Sequence, residues 1–371
     1  MKNKKIQQAL ILGLWSFLAV TPLLLTTGPN VVTLTYQEGA NRFFSGINPY
    51  SPPSPGVDGF FYPPFFAAAW GVFDFLGPVP KILLWVFINS FVFWLGISDW
   101  LILKKNQSKW LWFFLVCVAV ELDVSLRYQQ SNAVVAGLIL IALARLRESK
   151  NLKAAILLAL ATHLKVFPVL FALVLALPFH FRFAVSYLSA LLLWFILPMS
   201  IVGPSHAFSL QWQELSFTTG DFSKRQLLDI AACFDRLGYE AIGKILQRTI
   251  LILGSLILIF YRAVTQNRKF EYGFWYSSFV SLLLLVTPKT ESPTFVWAAP
   301  AYLFLVKDFS KRTLGILALI GLFMTLIYSS AFPREWVYWF RWNWTSKTLA
   351  VLALWLLASG KLWSSHTSKS S

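Results

Sequence analysis

Apolar positions along the chain come in long unbroken runs, without the alternating or one-faced patterning of a soluble protein. A helix that crosses a bilayer needs about 20 mostly apolar residues, with short variants near 17. The first run is 9–25, preceded by Lys2, Lys4 and Lys5 and followed by the turn Thr26-Thr27-Gly28-Pro29-Asn30. No small-x-small cleavage pattern follows it, so it reads as an uncleaved first span and not as a signal peptide. Further runs cover 80–103, 110–122, 132–144, 183–202, 241–261, 272–286, 294–306, 313–329 and 347–360. The run 153–177 is interrupted by Thr162-His163-Leu164-Lys165 and Pro168. Polar residues and proline at membrane depth are tolerated where a helix is broken and faces a cavity, so two short helices are expected, about 154–163 and 167–178. The run 60–76 opens with Tyr62-Pro63-Pro64, contains Asp74 and ends in Gly77-Pro78, which suits an interfacial or re-entrant helix.

Charge sets the orientation of these runs. If 60–76 lies in the interface, Lys and Arg collect in the loops 2–8, 104–109, 145–153, 179–182, 262–271, 307–312 and the tail from Lys361. That is the positive-inside pattern, with about twelve crossings and both termini cytoplasmic. The large external segments are then 27–79 and 203–240. The expected architecture is all-α: one polytopic membrane domain over 1–371, with interfacial helices in the first external loop.

Composition agrees. Hydrophobic residues make up 57% of the 371 residues and charged ones 13%, against about 25% charged in an ordinary soluble domain. Intrinsic disorder is excluded by that hydrophobicity. The formal charge of +16 would raise a nucleic-acid partner for a soluble chain. Here the excess falls in the loops predicted to be cytoplasmic, so it reports orientation and no nucleic-acid partner is expected. Two cysteines, Cys117 and Cys233, and the lack of any zinc-ligand spacing give no reason to expect a metal or cofactor.

The chemistry-bearing residues fall on the predicted outer side. In the first external loop, Tyr36, Glu38, Arg42, Phe43 and Phe44 have the mixed aromatic and charged character of an interfacial amphipathic helix. The third predicted span exits through Glu121, Asp123, Arg127, Gln129, Gln130, Ser131 and Asn132. Such groups near hydrocarbon usually face a polar cavity or pair with each other, and Glu121 with Arg127 is one such pairing. His163 and Lys165 at the broken helix, and Lys289 and Glu291 in the loop 287–293, are predicted at the same depth. Arg127, Lys165 and Lys289 together would suit the phosphate of a lipid carrier.

Four stretches resemble the GT-C superfamily of polytopic glycosyltransferases, and within it the family-87, mannosyltransferase-like group. They are Gly46-Ile47-Asn48-Pro49-Tyr50 with Tyr62-Pro63-Pro64 downstream; Arg127 with Gln130-Ser131-Asn132; His163-Leu164-Lys165-Val166-Phe167-Pro168; and Thr287-Pro288-Lys289-Thr290-Glu291. The resemblance implies transfer of a hexose, commonly mannose, from a polyprenyl-phosphate sugar to a lipid or glycan acceptor on the non-cytoplasmic face, with inversion. It implies a carboxylate base from the first external loop, cations for the leaving phosphate and a groove open to membrane lipid. The family's acid falls near Val32, and 30–35 carries no Asp or Glu. Asp58 and Glu38 are the acids available in that loop, with a lean to Asp58 beside its Pro-rich turn; Asp123 and Glu291 are further options. The substrate-binding set expected from the motifs is Tyr36, Tyr62, Arg127, Gln130, Asn132, His163, Lys165, Lys289 and Glu291. Two other readings remain open from the sequence. One is a transporter or flippase for a lipid-linked or small solute, which also places polar groups in broken helices. The other is a GT-C-like scaffold without catalysis, motivated by the displaced acid.

Overall fold

Inside a bilayer no water satisfies backbone N–H and C=O groups, so an apolar chain closes its hydrogen bonds within each segment as helix. The computed structural model describes residues 2–101, 109–176, 181–218, 228–264, 271–287, 290–306, 311–325 and 346–367, with 333, 335, 336 and 339. Among these residues there are helices and no strands. In chain order they are α1 (Lys2–Thr27), α2 (Val31–Phe44), α3 (Pro64–Val72), a 3-10 turn (Asp74–Leu76), α4 (Pro78–Trp100), α5 (Lys109–Arg127), α6 (Asn132–Arg147) and α7 (Asn151–Leu164). There follow α8 (Pro168–Ala176), α9 (Phe181–Val202), α10 (Pro204–Thr218), α11 (Ile230–Arg236), α12 (Glu240–Val264), α13 (Tyr272–Val286), a second 3-10 turn (Ser292–Trp297), α14 (Ala299–Leu305), α15 (Lys311–Met324) and α16 (Ser346–Thr367).

Four of these are long and apolar enough to cross a membrane: Asn3–Thr27, Pro78–Trp100, Phe181–Val202 and Glu240–Tyr261. Shorter apolar helices are Pro64–Leu76, Asn151–Leu164, Tyr272–Val286 and Thr313–Met324. The segment 60–76 forms only the nine-residue α3 and one 3-10 turn. At 1.5 Å per residue such a helix spans roughly half of the hydrocarbon core. The break expected after His163 lies at Lys165, whose backbone is extended between α7 and α8. The apolar run 294–306, expected as one span, is instead a 3-10 turn followed by the seven-residue α14. Pro293 and Pro300 each stand in the first turn of their element, where the missing N–H does no harm, and so divide the run in two.

The chain forms two compact units, Met1–Ile102 with Ser125–Phe222, and Leu103–Val124 with Ser223–Ser371. In the first unit α4 packs against both α1 and α6, and α7 packs against α6 and α9. A Cβ on Gly96 would lie 2.7 Å from the Gly137 carbonyl oxygen, and one on Gly137 would lie 2.4 Å from the Val92 carbonyl oxygen. The α4–α6 crossing is therefore backbone against backbone, the small-residue packing that bilayer helices use. At one end of this bundle Asp99 pairs with Lys5 and with Arg145, and Arg147 lies over the Trp100 ring at 4.3 Å. The start of α1 and the ends of α4 and α6 thus lie together.

In the second unit Glu121 and Lys347 form a fully buried ion pair at 2.8 Å, with the ammonium 5.0 Å from the Phe295 ring centre. This corrects the pairing of Glu121 with Arg127 raised by the sequence: Glu121 faces α16 within its own unit. Cys117 and Cys233 are both buried free thiols. At another point in this unit, Asp229 caps α11 by accepting from the N–H groups of Ala231 and Ala232, and it also accepts from Gln247 Nε2 at 3.1 Å.

Candidate active site

The first unit carries a polar and aromatic cluster at the end of the bundle remote from Asp99. It begins with the turn between α1 and α2. Asn30 caps α2, its side-chain oxygen accepting from the N–H groups of Val32 and Thr33. This is the stretch where family resemblance would place an acid; here it is built for capping. Thr33 Oγ1 donates to Gln129 Oε1 at 2.6 Å, and Gln129 Nε2 donates to the Gly28 carbonyl at 3.1 Å. Gln129 has φ +55°, and its carbonyl accepts from Trp85 Nε1 at 3.0 Å. A side chain in the left-handed region persists when its surroundings over-determine it. Those bonds do so, and they fasten the Gln129–Ser131 turn to the start of α2.

The motif Gly46-Ile47-Asn48-Pro49-Tyr50 then turns the chain back. Gly46, at φ +68°, ends α2. Asn48 accepts from the Tyr50 N–H at 2.9 Å, and the Tyr50 hydroxyl donates to the Tyr62 carbonyl at 2.9 Å. Phe60 presses on Gly39 so closely that a Cβ there would lie 2.2 Å from its ring. The result is a stacked group on α2 and α3. Tyr36 OH meets Tyr62 OH at 3.1 Å, and the Tyr36 ring packs edge-on against Tyr62, Phe66 and Trp70. Burial holds the Tyr36 phenol well above its usual pKa; Tyr62 adds to the rise and Ser131 opposes it. It is therefore a neutral hydroxyl at every physiological pH.

Ser131 leads directly to Asn132, a buried residue that donates to Gln130 Oε1. Lys165 Nζ donates to Asn132 Oδ1 at 2.7 Å. Pro168 has no N–H to donate to the Leu164 carbonyl, so α7 does not continue through it; the backbone at Lys165 is extended, and the side chain reaches Asn132 on α6. Tyr36 of α2 is thus brought together in one unit with Tyr62, Gln130, Asn132 and Lys165, which come from three sequence motifs.

The other expected residues lie elsewhere. His163 is buried in the packing of α7, its Nε2 2.9 Å from the Leu191 carbonyl and its ring 5.3 Å from Phe65. Arg127 is exposed at the end of α5, with its carbonyl accepting from Asn30 Nδ2 at 3.3 Å. Glu291 belongs to the second unit, just before the Ser292–Trp297 turn. Lys289 lies outside the described residues. Of the two acids in the first loop, Glu38 is held by Arg42 and by Ser54, whose N–H and hydroxyl both donate to it. Arg42 in turn donates to the carbonyls of Ser51 and Pro52. Asp58 is exposed, and its N–H donates to Thr35 Oγ1 at 3.2 Å, which fastens it to the first turns of α2.

Sequence reasoning left Gln129 and Glu214 out of the candidate set. Glu214 is fully buried in α10, accepts from Gln211 Nε2 at 3.1 Å, and acts on Tyr50. Burial, with the Glu214 charge added, holds the Tyr50 phenol well above its usual pKa. An acid on a Trp- and Phe-rich external helix was the available signal. Among the described residues no group of three or more His, Cys, Asp or Glu is placed to hold a metal ion.

Long apolar helices and a buried aromatic and polar cluster where broken helices meet define a helical membrane protein with a built polar site. The chain belongs to glycosyltransferase family 87, whose model matches residues 60–288. It is therefore a membrane glycosyltransferase. No curated protein and no solved structure matches the chain. The matched stretch includes Tyr62, Arg127, Gln130, Asn132, His163 and Lys165, whereas Tyr36, Glu38 and Asp58 precede it and Lys289 and Glu291 follow it.

Proposed function

We propose that this glycosyltransferase moves a hexose, mannose in the first instance, from a polyprenyl-phosphate sugar to a lipid or glycan acceptor on the non-cytoplasmic face, with inversion. The observation that supports the reading is the convergence of Tyr36, Tyr62, Gln130, Asn132 and Lys165 in one cluster. Lys165 is a compact cation suited to the leaving phosphate. Asn132 orients it, and Tyr36 and Tyr62 offer hydroxyls for sugar oxygens. Arg127, in the same unit, belongs to the proposed binding set as well, and His163 serves it by fixing α7.

The base is Asp58. Its N–H bond to Thr35 Oγ1 holds it next to Tyr36 in the loop from which the base is expected, whereas Glu38 fastens the 51–54 turn through Arg42 and Ser54. In the reaction the acceptor oxygen attacks the anomeric carbon while its proton passes to the Asp58 carboxylate. The bond from that carbon to the phosphate oxygen breaks, and polyprenyl phosphate leaves with the electron pair. About twelve crossings, with both termini cytoplasmic, put this site on the outer side. The joint placement of Lys5, Asp99 and Arg145 supports that topology, because it gathers three basic loop ends at the opposite end.

The test is to supply radiolabelled polyprenyl-phosphate mannose, and then other polyprenyl-phosphate hexoses, to membranes containing the protein. Label moving into a glycolipid or glycan is expected. If no donor in the series is bound or consumed, the reading is lost.

A further inference from the structure

Trp70, which packs on Tyr36, also lines a second feature that the transfer reaction does not use. A cavity of about 360 Å³ is lined by the α1–α2 turn, α2, Trp70 of α3, the Asp74–Leu76 turn and the start of α4. Gln37, Trp70, Asp74 and Lys81 in its wall form a hydrogen-bonded network. Gln37 Oε1 accepts from Trp70 Nε1 at 3.2 Å and from Lys81 Nζ at 3.0 Å. Gln37 Nε2 donates to Asn41 and to Asp74 Oδ1. Lys81 Nζ also donates to Asp74 Oδ1 and sits 4.4 Å from the Trp70 ring centre. Lys81 is 4% exposed although charged, while the side chain of Asp74 is 46% exposed.

The network leaves two groups over. Among the described residues both bonds to Asp74 go to Oδ1, so Oδ2 is an open acceptor. Two of the three ammonium hydrogens of Lys81 are committed, so one donor remains. An acceptor and a donor side by side, fixed by a shared partner and walled by an indole, match the donor-and-acceptor character of neighbouring hydroxyls on a polyol ring. The cavity is also roomy enough for one such ring, with a few polar groups set in an otherwise apolar wall as ligand sites have. Charge decides against an anion. Lys81 is already neutralised by Asp74, and a phosphate would meet the open Asp74 oxygen.

We propose that this cavity binds a neutral hydroxyl-rich ring, a sugar or cyclitol, through Asp74 and Lys81. Its use as a holding subsite for a ring of the acceptor rests on the transfer reading; the binding itself does not. The ring arrives either free or as the head of a lipid, since α2 and the start of α4 flank the cavity.

The experiment uses the full chain in lipid nanodiscs and saturation-transfer NMR. The probes are methyl α-mannopyranoside and myo-inositol as free rings, octyl α-mannopyranoside as a lipid-borne ring, and inorganic phosphate as the anion. The neutral rings are expected to give saturation transfer, and inorganic phosphate is not expected to displace them. A gain of tenfold or more for the octyl glycoside over the methyl one identifies a lipid-borne ring; equal binding identifies a free one. Asp74→Asn removes the charged acceptor and should weaken binding about tenfold. Leu34→Trp, at the cavity wall and outside the polar network, should abolish it by filling the space even if Asp74→Asn fails to fold. Absence of ring binding in the wild type, competition by phosphate, or binding unchanged in Leu34→Trp overturns the proposal. A wild type that binds the ring but accepts no polyprenyl-phosphate sugar keeps the site and loses the transfer reading. One that transfers sugar but binds no ring does the reverse.

Discussion

Asp58 and Glu38 stand twenty residues apart in one loop, and the contacts of Glu38 give it a structural task. Glu38 makes an i,i+4 ion pair with Arg42 and takes two bonds from Ser54, so its work is to fasten the 51–54 turn to α2. Asp58 is exposed and tied by its backbone to Thr35. Asp58→Asn is therefore expected to lower sugar transfer by about 10²–10⁴-fold, the share a general base contributes. Glu38→Gln should leave the rate close to wild type and lower stability by about 1–3 kcal/mol, as for hydrogen bonds to a charge in a pair whose side chains are only 17% and 18% exposed. Radiolabel transfer, normalised to folded protein, distinguishes them; the opposite ranking moves the base to Glu38. The sequence offered both acids and could not rank them, because the ranking depends on contacts with Arg42 and Ser54 that spacing does not reveal. A second residue-scale effect concerns Asp229. Burial raises its carboxyl pKa against the opposing pull of the N–H groups it caps. A raised folded pKa means that the native state holds the proton longer than the unfolded chain does. Its contribution is full below the unfolded value of about 3.9 and is lost as pH rises through the folded one. Asp229→Asn keeps the capping oxygen and removes the titration. Its thermal midpoint should therefore gain on wild type as pH rises above about 4, and parallel pH curves would contradict this.

Among the elements, what was legible followed from local chemistry. Pro168 and the polar stretch before it announced the break that becomes α7 and α8. Tyr62-Pro63-Pro64 and Gly77-Pro78 announced the bounds of a short helical segment, which is α3 with its 3-10 turn. The 294–306 run misled because its hydropathy is continuous while Pro293 and Pro300 each restart the helix. The partner of Glu121 was out of reach of any local pattern, since Lys347 lies 226 residues away. The α4–α6 contact was also hidden, because Gly96 and Gly137 are unremarkable until their backbones are seen to touch. That contact can be tested. A Cβ on Gly137 meets backbone and not the end of a flexible side chain, so the helices must separate. Gly137→Ala is expected to destabilise by about 1–3 kcal/mol, as overpacking does. Gly137→Leu should abolish folded protein, while Gly315→Ala, whose Cβ would meet nothing within 4 Å, should behave as wild type. Thermal unfolding of detergent-solubilised protein measures all three, and a stable Gly137→Leu would show the crossing to be loose.

For the molecule as a whole, the surplus of Lys and Arg and the buried polar site are two halves of one arrangement. Cations that set orientation gather where Lys5 and Arg145 meet Asp99. The groups suited to chemistry gather where Tyr36, Asn132 and Lys165 meet. If the first end is cytoplasmic, the donor's phosphate and the acceptor meet on the outer side, and no nucleotide sugar from the cytoplasm can serve. Orientation is therefore the property on which the choice of donor depends. It is measured on a chain whose buried Cys117 and Cys233 are replaced by alanine, with single cysteines introduced as Ser149→Cys after α6 or Pro53→Cys in the first loop. A membrane-impermeant maleimide applied to intact cells is expected to label Pro53→Cys at once and Ser149→Cys only after the membrane is opened. The reverse pattern would turn the site toward the cytoplasm and exclude a donor presented on the outer face.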